Sequence, residues 1–581
     1  MPVSDQDISA QVIGILNLKM DFCLNTFGLD NGTTSFCNAT GEPCYKTFEN
    51  CKDRANFQKG FREYKYSTTV VDLPDLDAVR PYLLSARSTP TEIIRDETKS
   101  ERMFFAMKAD KDFDVGLDPH YEQRSSHEAV DYWPVWLARN QFFEGRQATY
   151  YEGLAGQTFS EYKLKFSGPL DDYKVDGLGS PTWQAVDQLQ GIGDVEVPAK
   201  LDAELAAAIT DSDVALTLTN FDNVQTPTGG ETLYVQMEDE ITGYTGTTPA
   251  QNQLTGLVRG SFGTTAAAHD AETAVKNTRY YPPDKPYTIM KDELLIADGG
   301  VDPSFIEADD FTKYTDDPFE DIKYSALILE GDSAKVRDLY FEIVGLSWSR
   351  SWQAEGKIRI RRRVMNEPGQ GYRKIKHQGN IVADSLHQDN KTKARYTRTR
   401  IFWNKTILGD QDEVKQYSRV HIGVDLDIEG PNGVNKEKPF DILDRWHWRG
   451  METDENLRDG LRDMVERFTW LQKYPPRLIT LRLQYKDNAI EAGEMIRLYT
   501  PRLRNSDGSA FNGEKFQVTK REQKADGIYV TLEEQPRYNV GYIAPDDTLD
   551  YGLGTEADLE YGFIWSDDLL IPVQDREYYI L

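Results

Sequence analysis

The chain has 581 residues, enough for about four domains of ordinary size. Hydrophobic residues make up 39% and charged residues 28%, which excludes global disorder, and a net charge of −29 argues against a dedicated nucleic-acid binder and against a ligand of anionic membranes. All four cysteines fall between Cys23 and Cys51.

The opening, Met1 to Met20, has no basic stretch, and Asn17 interrupts the apolar run from Val12 to Leu18, so no secretory signal is expected. No run of about 18 uncharged apolar residues occurs, so no membrane-spanning helix is expected either. Synthesis in a reducing cytosol is the default, which weakens a disulfide reading of the cysteines. Cys23, Cys37, Cys44 and Cys51 are spaced C-x13-C-x6-C-x6-C. Four thiolates brought together can hold a tetrahedral zinc or a [4Fe–4S] cluster, since both take soft anionic donors. Structural zinc sites usually fix two ligands on a short knuckle, which is missing here, and wider loop-borne spacings suit the larger cluster. Zinc, two disulfides or unrelated buried thiols stay open on spacing alone. Asn31-Gly-Thr and Asn38-Ala-Thr match glycosylation sequons, which have no role without secretion.

From Tyr64 onward the patterns are mostly those of strands: Tyr64 to Val71, Ala215 to Leu218, Thr232 to Gln236, Lys357 to Ile360 and Leu478 to Tyr485. In the last, Ile479, Leu481, Leu483 and Tyr485 alternate with polar residues, the period of a half-buried strand. Asp110-x-Asp112-x-Asp114 begins like a calcium loop, but its glycine comes one place late and Tyr121 stands where the bidentate Glu belongs, so a solvated acidic turn is expected. His269, beside small residues and without a nucleophile or acid paired to it, reads as a structural hydrogen-bonding group. Tyr280-Tyr-Pro-Pro-Asp-Lys-Pro286 reads as a linker, and Tyr287 to Ala297 after it as a helix. Residues 341–400 hold 14 Lys/Arg against 5 Asp/Glu, a local +9 that leaves −38 for the rest. Within it Lys357-Ile-Arg359-Ile-Arg361 alternates as a strand with one cationic face, suited to an acidic surface of a neighbouring subunit or, less well, to passing DNA. A helix is expected from an N-cap at Thr453 to Leu471, its apolar stripe of Leu457, Leu461, Met464, Val465, Phe468 and Leu471 serving core packing, with Pro475-Pro476 as the stop. Phe516 to Thr519 and Ile528 to Leu532 flank Asp526-Gly527 as a hairpin.

Enzyme signatures fail where they can be tested. There is no G-x-S-x-G elbow and no H-E-x-x-H, and the Gly508-x4-Gly513 spacing lacks the Lys-Ser/Thr of a P-loop.

The run Cys44-Tyr-Lys-Thr-Phe48-Glu-Asn-Cys51-Lys-Asp-Arg-Ala-Asn-Phe57-Gln-Lys-Gly-Phe61 resembles the cysteine segment of tail-tip or baseplate hub proteins of long-tailed phages, lambda tail-tip and gene-transfer-agent hubs among them. Asp21-Phe-Cys23-Leu-Asn-Thr26-Phe27-Gly28 is similar to the opening of hubs from chi-like phages. Asp118 to Arg124, Trp133-Pro-Val-Trp136-Leu-Ala-Arg139-Asn140 and Tyr151-Glu-Gly153 resemble the first hub domain, although by themselves the aromatics read as core or interface. Leu257-Val-Arg259-Gly-Ser-Phe262-Gly-Thr-Thr-Ala-Ala-Ala-His269 resembles a segment that closes a small β-module in phage tail proteins, and Tyr287 to Asp310 the opening of a second hub barrel. The likeness covers about residues 15–320, and no specific motif is recognised after that.

The resemblance implies a mainly β, multidomain α+β chain with β-barrel hub domains and a few helices. The expected division is an iron–sulfur segment at 1–62, a first hub barrel at 63–190, an inserted β-module at 191–280, a second barrel with the basic strands at 281–420 and an α+β region at 421–581. It implies a [4Fe–4S] cluster held by Cys23, Cys37, Cys44 and Cys51, with zinc as the alternative, acting as a staple rather than in redox work. It further implies a non-enzymatic structural protein of the virion tail tip, made in the host cytoplasm and assembled as a homotrimer. Its partners would be a distal tail protein hexamer, a tail fibre or tip protein and the tape-measure protein, with transient contact to phage DNA in the ejection channel and no stable membrane insertion. A tail-associated hydrolase, an iron–sulfur redox enzyme and a host-receptor adhesin are the rival readings.

Overall fold

The computed structural model describes residues 12–534 apart from 28–35, 38–45, 94–97, 113–129, 313–322, 363–371, 391–395, 409–413, 425–438, 450–464, 466–468, 470–476 and some single or paired positions; residues 1–11 and 535–581 lie outside the described residues. The chain is mainly β, as expected, built from several sheets with few helices.

Strand β1 (Val12–Cys23) is the longest apolar run of the first unit. Its neighbours are β2 (Lys59–Ser67) on one side and β6 (Gln147–Leu154) on the other, both antiparallel. With β3 (Val79–Arg80), β4 (Leu83–Ser88), β5 (Arg102–Met107), β7 (Lys163–Val175) and β8 (Pro181–Val186) they form an eight-stranded sheet in the order β3-β2-β1-β6-β7-β8-β5-β4. Leu16, Leu18 and Met20 point to its core, while Ile13 and Ile15 on the opposite face join a small second cluster with Leu76 and Tyr162. Helix α1 (Tyr132–Arg139) packs on this core with Trp133 and Trp136, three residues apart and so on one helix face. Trp136 meets Trp183 edge-on at 5.3 Å and Tyr64 at 5.5 Å, and Trp133 meets Tyr66 at 5.1 Å. The tryptophan-rich segment is core, as its composition alone indicated. The border expected at residue 62 runs through β2, and the strand that carries Cys23 is a central member of this sheet.

The second unit is small and Thr- and Gly-rich. Strands β9 (Ala203–Glu204), β10 (Ala215–Thr217), β11 (Leu233–Met237), β12 (Glu240–Tyr244), β13 (Gly246–Thr248) and β14 (Gln253–Thr255) enclose Leu205, Leu216, Leu218, Val235, Met237, Leu254 and Val275. Strand β15 (Ala274–Asp284) joins it to the third unit, pairing with β11 through Val275 to Asn277 and with β16 (Lys323–Leu329) through Thr278 to Asp284. The expected linker at 280–286 is therefore largely strand. Pro282 and Pro283 fit because the register shifts between Tyr281 and Asp284, and a bulge removes the need for their missing N–H groups.

Pro286 opens the expected helix, which runs to Asp298 but is wound as a π-helix from Ile289 and buries Ile289, Met290, Leu294 and Leu295. These residues share a core with α2 (Val336–Leu346) and with the hairpin of β17 (Ser349–Ala354) and β18 (Lys357–Arg362). Glu355 and Gly356 turn that hairpin with φ of 50° and 72°, the two-residue geometry that matches strand twist.

The remaining strands are β19 (Arg373–Lys376), β20 (His387–Asn390), β21 (Arg398–Lys405), β22 (Tyr417–Val424), β23 (Pro439–Leu443), β24 (His447–Arg449), β25 (Arg477–Leu483), β26 (Met495–Arg504), β27 (Ala510–Lys524) and β28 (Gly527–Glu534). An eight-stranded sheet runs β19-β26-β27-β28-β25-β20 along its main path, with the short strands Glu92–Ile93 and Thr98–Lys99 joined to it where Glu92 pairs with Lys520 of β27, and a three-stranded sheet runs β22-β21-β23. Ile479, Leu481 and Leu483 are fully buried, as their alternation predicts, and the expected hairpin pairs Lys524 with Gly527. The larger sheet takes β19, β20 and the short strands at 92–93 and 98–99 from before residue 420 and its other strands from after it. The helix expected over 453–471 lies outside the described residues except at Val465 and Thr469, both helical, with Val465 buried.

The aromatic packing of α1 sets an expectation. Trp136 is fully buried, and its indole N–H has no hydrogen-bond partner among the described residues, so its worth is packing. Trp136→Ala should cost about 3–5 kcal/mol and Trp136→Phe about half of that or less in urea unfolding. Equal losses from the two variants would contradict this.

Candidate metal centre and a buried ion cluster

Alternation along β1 puts Lys19, Asp21 and Cys23 on the face turned away from the main core of the sheet. Cys23 is buried there all the same. Its backbone N–H donates to the Lys46 carbonyl at 2.7 Å, which brings the chain two residues past Cys44 alongside it. On the other side Leu24 N–H donates to the Gln58 carbonyl at 2.9 Å, and the Asn25 side chain donates to the Asn56 carbonyl in the turn just after Cys51. Cys51 is half-buried and its N–H closes a turn onto Phe48 at 3.1 Å. Cys37 lies in a two-residue strand paired with Thr26 and Phe27. Backbone pairing thus gathers the flanks of Cys23, Cys37 and Cys51 in one place. Cys44 itself and the side chain of Cys37 lie outside the described residues.

Among the described residues no three metal-ligating side chains come together to hold an ion, and the described thiols are those of Cys23 and Cys51. One thiol is withdrawn from solvent on a rigid strand, another is half-withdrawn, and the backbone of a third is drawn in beside them. Lys59 lies directly across from Cys23 in the β1–β2 register, and its ammonium is 3.4 Å from Asp21, which also accepts from Arg146 at 2.5 Å. Asp21, Lys59 and Arg146 thus form one charge cluster on the face of β1 that carries Cys23. Phe48 and Phe57, on either side of Cys51 in sequence, meet edge-on at 5.2 Å.

The small module contains the polar cluster that sequence reading passed over. Glu240 opens β12 with 1% side-chain exposure. Arg259 reaches it with two bonds, of 2.7 and 2.8 Å, and the N–H groups of Gly260 and Ala267 each donate at 3.0 Å. His269 places one ring nitrogen 2.9 Å from Glu240 and the other 3.1 Å from Glu238. Burial alone would raise the Glu240 carboxyl, but the guanidinium, the Ala267 N–H, His269 and the Gly260 N–H outweigh it and hold the group well below the ordinary carboxylate range. His269 is hydrogen-bonded as expected, but to two acids, Glu238 and Glu240, where the sequence suggested none. The cluster floors an open cavity of about 850 Å³, where Thr264 also stands, its hydroxyl donating to the Ser261 carbonyl at 2.8 Å. The signal for Glu240 was faint, since one Glu among 96 acidic residues carries no spacing of its own.

The basic segment finds its partners within the chain. Lys357 and Arg359 lie 3.1 and 3.7 Å from Glu307, Arg373 is 2.8 Å from Glu494, and Arg400 grips Asp441 with two bonds of 2.6 Å. Arg350 is buried against Gln517 and Glu533. The acidic surface expected on a neighbouring subunit is, for these five cations, supplied by their own chain. Asp110 of the acidic turn accepts from Lys108 at 2.8 Å and from Lys111 N–H at 2.9 Å, while Asp114 lies outside the described residues.

No family model matches the chain, and no curated protein matches it. Among solved structures it is similar to a prophage tail protein, gp18, from Listeria monocytogenes EGD-e, at 10% identity and a TM-score of 0.31 over 78% of this chain and 87% of that one. A 43 kDa tail protein of prophage MuSo2 from Shewanella oneidensis is similar at 8% identity and a TM-score of 0.34, over 78% and 93% of the two chains. A chain of the virion of a native gene transfer agent particle is similar at 11% identity and a TM-score of 0.23, over 36% and 41%. Likeness of this degree fixes neither the fold nor the function of this chain. Among the described residues no helix is long and apolar enough to cross a membrane.

The ion cluster yields a pH expectation. The folded Glu240 carboxyl ionises below its unfolded counterpart, so its stabilisation is complete above the ordinary glutamate pKa of about 4.3 and is lost as pH falls below it. Arg259→Leu leaves a buried carboxylate without its guanidinium and should cost about 3–5 kcal/mol at pH 7. Glu240→Gln should also destabilise at pH 7 but flatten the loss between pH 5 and 3, which thermal unfolding across that range would measure. A Glu240→Gln variant with the wild-type acid dependence would contradict the assignment.

Proposed function

We propose that this chain is a structural protein of a long-tailed phage: the baseplate hub, a homotrimer that joins a distal tail protein hexamer to the tail fibre or tip and lines part of the genome-ejection path. The observation that carries the reading is the cysteine segment, whose sequence resembles that of tail-tip and hub proteins and whose two ends, Cys23 and Lys59, stand opposite each other in the first β-sheet. A sheet that carries a small loop-rich segment suits a connector, because such a segment cannot bury a core of its own and needs a cross-link.

In this reading Cys23, Cys37, Cys44 and Cys51 hold a [4Fe–4S] cluster that supplies four covalent ties between loops and strand. Asn25 fixes the limb after Cys23 to the turn after Cys51. The reading assigns the chain no catalytic step, and tape-measure protein and phage DNA are partners of the passage rather than ligands.

Protein purified without oxygen should contain about four irons per chain and absorb broadly near 400 nm. One zinc per chain without that absorption would replace the cluster by zinc. Cys44→Ser should lose the iron and impair trimer assembly, whereas unimpaired assembly would remove the stapling role. Electron microscopy of the virion tests the placement. Three copies at the tail tip are expected, and a map that puts the chain elsewhere overturns the hub reading.

A further inference from the structure

Strand β22 combines two features that rarely coexist in a finished sheet. Among the described residues it is an edge, paired only with β21. Its outward side is apolar as well: Val420, Ile422 and Val424 are 43%, 55% and 37% exposed. On the same face, directly opposite them in the register, stand Phe402, Arg400 and Arg398 of β21. The other face is closed, with Gly423 buried against Val465 and Thr469. An exposed eight-residue edge with three aliphatic side chains is a template for strand addition, and proteins cover such edges.

The chain carries a segment of matching chemistry. Residues 535–581, outside the described residues, contain ten Asp/Glu against two Arg, a net −8, together with eight aromatic residues. Within them Tyr561, Phe563 and Trp565 recur at every second position, the period of a strand with one aromatic face. In sequence the basic run 391–400 leads into β21, the strand paired with β22, and is opposite in charge to the acidic segment. Reach favours the same copy. Glu534, the last described residue, is held 2.6 Å from Arg477, only eight residues beyond Thr469, which packs on the back of β22. Eight residues span at most about 28 Å, whereas the 47 residues after Glu534 can span about 150 Å.

We propose that the C-terminal segment of this chain docks on β22 as an added strand, with Tyr561, Phe563 and Trp565 covering Val420, Ile422 and Val424. The docked segment hides the apolar face and ends the open sheet edge.

A benzoylphenylalanine at position 422 of the full chain, activated by light, should cross-link to residues 555–575 of the same copy. Mixing light and heavy-isotope copies before activation separates links within a chain from links between chains. The variant Tyr561→Ser/Phe563→Ser/Trp565→Ser should raise amide exchange in β22 at least tenfold while the amides of β25 to β28 keep their protection. A chain ending at Glu534 should behave in the same way, and addition of a synthetic 555–581 peptide should restore the protection. Links that map to another segment or to a second copy overturn the proposal, as does β22 exchange that the triple variant leaves unchanged.

Discussion

The amino-terminal half depends on the period of one strand. Along β1 the side chains alternate, so Leu16, Leu18 and Met20 enter the core while Lys19, Asp21 and Cys23 face the other way. Two antiparallel neighbours, β2 and β6, fix that register, and a slip of one residue would turn Cys23 into the core and Leu18 out of it. The cysteine segment is an excursion from this sheet. It leaves at Cys23 and returns at Lys59, the residue opposite Cys23, so both ends of the excursion are held at one cross-strand pair.

Much of this was legible in the sequence because it rests on short periods. The alternations at Tyr64, Lys357 and Leu478 became strands at those places, and the π-wound helix after Pro286 was visible as a helix. What escaped was long-range. The Tyr280 to Pro286 stretch reads as a linker from its prolines, and only pairing on both sides, with β11 and with β16, makes it one strand with a bulge. The placement of β1 escaped for the same reason, since the cysteines suggest a separate segment while its neighbours β2 and β6 lie some 40 and 130 residues further on. At the candidate sites the cysteines stood out by their confinement to one window and His269 by the segment before it. Glu240 was not, because nothing in one Glu says that two N–H groups, a guanidinium and an imidazole will converge on it.

Charge follows a related logic. A chain of −29 with a local excess of +9 invites a reading in which the basic belt serves an outside partner. Inside the fold, however, acidic residues far away in sequence are near in space. Glu307, Glu494 and Asp441 meet Lys357, Arg373 and Arg400, and Glu533 meets the buried Arg350. The exposed pairs among them contribute little each. Arg350 differs, because a guanidinium withdrawn from water between β27 and β28 must keep its partners, and that ties the hairpin β17–β18 to the last sheet. These cations of the belt act as internal lacing.

The junction of the small module shows how such lacing limits motion. One strand, β15, is shared by the module and the unit after it, so the two cannot swing apart without breaking a ladder. A single carboxylate reinforces the joint: Glu330 accepts the N–H groups of Leu201 and Asn277, each at 2.9 Å, and the Asn277 side chain donates to the carbonyls of Ala199 and Asn223. Those bonds reach the entry of the module, the loop inside it and the shared strand at once. With the bulge at Pro282-Pro283 setting the bend of β15, the module is oriented by backbone geometry rather than by a flexible tether. Its Arg259 to His269 loop is in turn locked from within by Glu240. A module fixed in this way at both levels presents the cavity above Glu240 in one constant direction relative to the unit that carries β16.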